Sequence, residues 1–191
     1  NGVSKETGLL ASWKKDGPAR LWSKDVGEGF SGPVIAGDRL VLFHRVDNEE
    51  VVECLNADTG KPIWKQDYAT SSQDQLGKGD GPRSTPVIQE GMVVTLGAAG
   101  TLTCFELATG KKQWSHDLAK EYRVVPSYFG VGTSPLIDKD RVLVNVGGKA
   151  GGIVAFAVIG AVAIKPGSCP QHRARIPFLG QAAGGGGRCG E

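Results

Sequence analysis

Two stretches of this chain read nearly alike 50 residues apart, and that repeat limits the fold more than any other feature. E-V-V-E-C-L-N-A-D-T-G-K-P-I-W ends at Trp64, and G-T-L-T-C-F-E-L-A-T-G-K-K-Q-W ends at Trp114. Cys54 aligns with Cys104, Thr59 with Thr109, Gly60 with Gly110, Lys61 with Lys111 and Trp64 with Trp114, without a gap. A repeat of this length is one supersecondary unit, which buries its apolar faces by stacking on its neighbours.

A second anchor precedes each stretch. It reads S-G-P-V-I at 31–35, S-T-P-V-I at 84–88 and T-S-P-L-I at 133–137. After each comes a turn, then an apolar run (R-L-V-L-F, M-V-V-T-L, R-V-L-V-N-V), then a further run (V-V-E-C-L, T-L-T-C-F, G-I-V-A-F). Each unit therefore predicts four short β-strands parted by Gly/Asp/Asn turns. The T-G-K step supplies a glycine where the chain needs positive φ. Four antiparallel strands per repeat make a propeller blade, so the fold class is all-β. The expectation is an open, partial ring of about three blades. Gly60 and Gly110 are the turn glycines. Trp22, Trp64 and Trp114 are expected to close outer strands and wedge between neighbouring sheets.

The pattern sets the boundaries. Residues 1–156 form the partial propeller: a blade remnant at 1–30, blades at 31–83 and 84–132, and an incomplete blade at 133–156. Residues 157–191 break the pattern, because Gly160, Ala161 and Lys165 fall where Thr, Gly and Trp are due. Charge changes there too. Of 22 Lys+Arg and 20 Asp+Glu, four cations and one acid lie beyond 156, leaving 18 and 19 before it. This non-propeller tail fits a frameshifted reading of the gene; a natural disordered tail or a divergent last blade are the alternatives. End blades with open edges and apolar faces predict self-association of the chain alone.

The anchors S-x-P-V-I, D-R-L-V-L and A-x-T-G-K-x-x-W resemble the pyrroloquinoline-quinone (PQQ) repeat family. That family includes eight-bladed quinoprotein dehydrogenases, the eight-bladed lipoprotein of the outer-membrane assembly machine and many exported bacterial propellers. The resemblance covers about residues 1–156. It implies a periplasmic, cell-envelope or extracellular location and a non-catalytic scaffold that binds protein partners or a ligand. The alternative it implies is a fragment of a PQQ-dependent dehydrogenase, with PQQ as cofactor. In that branch the cofactor lies over a vicinal Cys-Cys disulfide beside a Ca²⁺, and an Asp acts as base. No Cys-Cys pair occurs in this sequence.

The residues themselves offer little catalytic chemistry. Cys54, Cys104, Cys169 and Cys189 lack C-x-x-C spacing, which argues against zinc. Cys54 and Cys104 read as small core residues. His44, His116 and His172 share no spacing that suggests a triad or a metal site. Asp47, Glu49 and Glu50 read as a solvated hairpin tip. A net charge of +2 gives no argument for nucleic acid. The apolar run at 152–164 is too short to span a membrane, and the chain opens at Asn1 without a signal-peptide pattern. The binding candidates lie in the long connections that cross to the next anchor. Arg83, Tyr122, Arg123, Tyr128 and Phe129 are expected at the channel rim, where an Arg suits a carboxylate, phosphate or quinone anion. The competing expectation is that Arg83 pairs with Asp80 and that the aromatics pack the loops.

Overall fold

The computed structural model describes residues 7–8, 12–13, 15, 17–74, 77, 79–123, 131–147 and 152–158. The first sheet consists of β1 (Val34–Ala36), β2 (Arg39–Val46), β3 (Glu49–Asn56) and β4 (Pro62–Ala69), antiparallel in the order β1-β2-β3-β4. The second repeats it with β5 (Val87–Gln89), β6 (Met92–Leu96), β7 (Thr101–Glu106) and β8 (Lys112–Asp117). After β8 comes a short helix, α1 (Leu118–Tyr122). The third sheet carries β9 (Leu136–Asp138), β10 (Arg141–Gly147) and β11 (Gly152–Ala157) among the described residues. Its pairing reaches Ala157, opposite Arg141.

Sheet-to-sheet packing follows from strand alternation. One face of the first blade, with Val41, Phe43, Val52, Cys54 and Trp64, meets Val93 and Phe105 of the second. The other face of the second blade offers Val94, Leu96, Leu102, Cys104 and Trp114 to Ile137, Val142, Val144 and Phe156 of the third. Each blade interior is thus an interface between blades. The outward face of the third sheet leaves Leu136 and Ile153 61% and 69% exposed.

The repeated Trp and Gly are parts of one contact. Gly60 and Gly110 take φ of 67° and 74°. A Cβ on Gly60 would lie 2.7 Å from the Trp22 ring, and one on Gly110 would lie 2.6 Å from the Trp64 ring. Each indole N–H donates to the backbone at the same place on the next blade: Trp22 to Ala57 O at 3.0 Å, Trp64 to Leu107 O at 2.8 Å and Trp114 to Val158 O at 3.0 Å. Trp22 therefore occupies, against the first blade, the place that Trp64 holds against the second. Both four-stranded ladders skip the residue just before the Trp, Ile63 in one and Gln113 in the other. A bulge of this kind re-aims the side chain beside it.

The middle residue of the S-x-P anchor links blades near the axis. Gly32 N–H donates to Thr85 Oγ1 at 3.2 Å, and Thr85 N–H donates to Ser134 Oγ at 3.0 Å. The innermost strands touch in series, β1 with β5 and β5 with β9. A hydroxyl on each successive blade thus satisfies a backbone donor of the blade before it.

One sequence expectation needs correcting. Asp47 and Glu49 are exposed, but Glu50 is 0% exposed. Adjacent residues on a strand point to opposite faces. With Glu49 in solvent, Glu50 faces the second blade.

Candidate functional site

The connection from β4 to β5 crosses one end of the sheets and is tied down by buried polar contacts. Arg45, 6% exposed, is the hub. Its guanidinium donates to Asp47 O at 2.6 Å, Ser72 O at 2.6 Å, Asp80 O at 3.2 Å and Asn48 Oδ1 at 3.2 Å. The lead-in segment joins the same sheet at Glu28, whose backbone exchanges two hydrogen bonds with that of Arg45 at 2.7 and 2.8 Å. Phe30 N–H then donates to Pro82 O at 2.8 Å. One Arg side chain so fixes a loop, a hairpin tip and, through its backbone, the lead-in.

Arg83 sits at the end of this connection. Its guanidinium meets the Asp74 carboxylate at 3.2 Å and Gly79 O at 3.1 Å, and lies 4.7 Å from the centre of the Phe30 ring. The acid it meets is Asp74, not Asp80. The Asp80 carboxylate instead accepts Asp74 N–H at 2.5 Å, and Asp80 N–H donates to Glu28 Oε2 at 3.2 Å. The loop folds back so that residue 74 faces residue 83, which proximity in sequence does not reveal.

Phe30, Arg83 and Gly132 occupy the same column, immediately before each anchor. Phe30 is 57% exposed and was not singled out by sequence. Aligning the anchors one residue further upstream would have placed it beside Arg83. Tyr122 and Arg123 lie elsewhere, at the end of α1. The Tyr122 ring meets Phe156 edge-on with centroids 6.3 Å apart, and Arg123 is exposed at φ 50°. Asp117 caps the helix by accepting Lys120 N–H at 3.1 Å. Tyr128 and Phe129 lie outside the described residues.

The titratable groups are mostly held in place. His44 accepts Gly27 N–H on Nδ1 at 3.0 Å, and its Nε2 lies 3.9 Å from Glu53, which pairs with Lys24 at 2.9 Å. Burial holds the His44 imidazole below its usual pKa, while Glu53 pulls the other way. His116 lies 3.1 Å from Glu121. Among the described residues no group of three or more His, Cys, Asp or Glu could hold a metal ion, and no helix is long and apolar enough to cross a membrane. His172, Cys169 and Cys189 lie outside the described residues.

Cys54 and Cys104 are free and buried, each opposite its Trp. Burial pushes the Cys104 thiol up to about 12 and raises that of Cys54 as well. Thiolate is the reactive form. Iodoacetamide at mildly alkaline pH is expected to leave both unmodified in the folded protein and to alkylate both after denaturation, as read by peptide mass mapping. Labelling of either before unfolding would contradict the buried assignment.

The family model PQQ_2, Outer membrane protein assembly factor BamB, matches residues 6–163. No curated protein matches the chain. Among solved structures, the chain is similar to BamB from Moraxella catarrhalis (TM-score 0.50, 15% identity, 72% of this chain and 36% of that one). It is also similar to a europium-containing methanol dehydrogenase (TM-score 0.52, 20% identity, 73% and 25%). A third is the quinohemoprotein alcohol dehydrogenase from Comamonas testosteroni (TM-score 0.50, 20% identity, 73% and 20%). At these identities the likeness concerns the fold, a β-propeller of which this chain is a part. The chain spans between 20% and 36% of the length of these three proteins.

Proposed function

Because the chain belongs to the family of the outer membrane protein assembly factor BamB, we propose that it is part of a non-catalytic propeller scaffold of the bacterial cell envelope that binds another protein. The observation that carries this reading is the surface beside the Glu28–Arg45 bridge. Val26, Phe30 and Val46 lie within two residues of that bridge and are 57%, 57% and 41% exposed. Exposed acids flank them: Glu28 lies between Val26 and Phe30 in sequence, Asp47 follows Val46, and Glu49 pairs with Val46 across the hairpin. Beneath this surface the cations Arg45 and Arg83 are engaged by the loop itself. What this end of the sheet offers a partner is therefore apolar contact beside exposed acids on a braced base. Such a patch suits a protein surface of apolar and basic character.

Site-specific photocrosslinkers at Val26 and Val46 in the full-length protein, in its native host, test this. One adduct of the same mass is expected from both positions, with none from Ile63 on the outer strand. The dehydrogenase alternative rests on fold likeness alone. Titrating the full-length protein with PQQ and Ca²⁺ addresses it, and saturable uptake, with no shared adduct, would overturn the scaffold reading.

A further inference from the structure

The two blade interfaces share an apolar core and differ in chemistry at one end. In the second, the places level with Arg45, Glu50 and Tyr68 are held by Ala98, Gly100 and Leu118. Opposite them, Val144 and Val154 stand where the first interface has Thr95 and Thr103. At these places, among the described residues, the second interface therefore packs without polar side chains. The first interface nonetheless buries a carboxyl group. Glu50 reaches from β3 across the seam, and its Oε1 accepts Ala98 N–H at 2.7 Å. The approach needs a glycine at 97, where any Cβ would collide with the carboxylate.

Hydrogen-bond accounting shows what the carboxyl lacks. Glu50 Oε2, Tyr68 Oη and Thr95 Oγ1 are all buried without a partner of good geometry. Tyr68 is directly opposite Glu50 on β4, and its hydroxyl lies between the carboxyl and Thr95. Arg45 is opposite Glu50 on β2, yet its donors go to three carbonyls and Asn48. Arg45 and Tyr68 are the titratable groups that face Glu50 from its own sheet. From the second blade, β6 and the turn at 97–100 bring the neutral Thr95 and the Ala98 amide.

The Tyr68 hydroxyl can donate to Oε2, and the Thr95 hydroxyl to Tyr68 Oη, whichever form Glu50 takes, and this contact favours the charged carboxylate. Burial outweighs it: an ionised Glu50 places a charge out of solvent in a seam where Arg45 is already engaged by the loop, and a protonated one does not.

We propose that Glu50 makes the seam between the first two blades a pH-sensitive joint, firm while its carboxyl carries a proton and loosened when the proton leaves. Burial favours the neutral carboxyl and raises its pKa from the usual 4.5, against the smaller opposing effects of Ala98 N–H, Tyr68 and Arg45. The folded state therefore holds the proton more tightly than the unfolded one. Stabilisation is complete below pH 4.5 and is lost as pH rises through the folded-state value.

Hydrogen exchange at the Ala98 amide of the full chain, corrected for intrinsic rate, tests the proposal. Its opening equilibrium is expected to grow with pH above the ordinary glutamate range, by at most about tenfold per pH unit for one proton, and then to level off. Glu50→Gln keeps the acceptor for Ala98 and removes the titration, so its profile is expected to be flat. A Glu50→Gln profile as steep as that of the unsubstituted protein would overturn the proposal. Should Glu50→Gln fail to fold, carboxyl ¹³C shifts of the unsubstituted chain decide. Titration of Glu50 above the other glutamates, with the Ala98 resonance moving in step, supports the joint. Titration together with the other glutamates refutes it.

Discussion

Trp64→Ala is expected to lower the unfolding free energy by about 3–5 kcal/mol. A buried Trp covers about 150–250 Å², which at about 25 cal/mol per Å² corresponds to roughly 4–6 kcal/mol of gross burial. Trp64 is 9% exposed, and its ring also covers Gly110 and faces Phe105 at 6.3 Å. The alanine variant further leaves Leu107 O without its indole donor. Because the contact joins two blades, the loss should fall on coupling between repeats as well as on stability. The urea transition is therefore expected to broaden as well as shift to lower denaturant. Trp22→Ala should cost less, since that ring is only partly buried. A Trp64→Ala loss below about 1 kcal/mol would show that the ring decorates the blade edge and does not wedge it.

The 50-residue repeat pointed to an outer Trp that wedges between sheets and to a turn Gly, because each recurs in register, but not to the contact between them. Gly60 and Gly110 take positive φ, and Trp64 and Trp114 lie on β4 and β8, whereas Trp22 belongs to no strand. Features that occur once were harder to see. The link through Thr85 and Ser134 occupies one anchor column, and Gly32 in that column carries no hydroxyl, so the pattern is broken within this chain. Helix α1 spans five residues, too few for an apolar period to show. The pairing of Arg83 with Asp74 depends on how residues 70–83 reverse direction, which composition does not encode. Glu50 was misread because three acids near a tip suggest solvent, whereas strand alternation separates Glu49 from Glu50.

Gly97→Ala is expected to destabilise the protein by about 3 kcal/mol or more, although it adds one methyl group. Gly97 is not in the left-handed region, so the backbone itself would accept alanine. The obstacle is Glu50: the new Cβ would overlap Oε2 and lie 3.0 Å from Oε1. Blade packing closes the seam around the carboxyl, which is 0% exposed, so it has no free volume into which to retreat. Overpacking alone costs about 1–3 kcal/mol. If Glu50 is pushed aside, its bond to Ala98 N–H is lost and a buried donor and acceptor are left unmade, which costs about as much again. Glu50→Ala in the same chain should relieve the clash, because the methyl then fills space the carboxyl has left. The pair is therefore expected to be less destabilising than the sum of the single changes, with a coupling of about 1–3 kcal/mol in equilibrium urea unfolding. Additivity within about 0.5 kcal/mol would mean that the two residues do not share the seam. Trp64→Ala removes packing, whereas Gly97→Ala adds bulk where packing is already complete. Both act on the same interface, and only Gly97→Ala should be relieved by shortening Glu50.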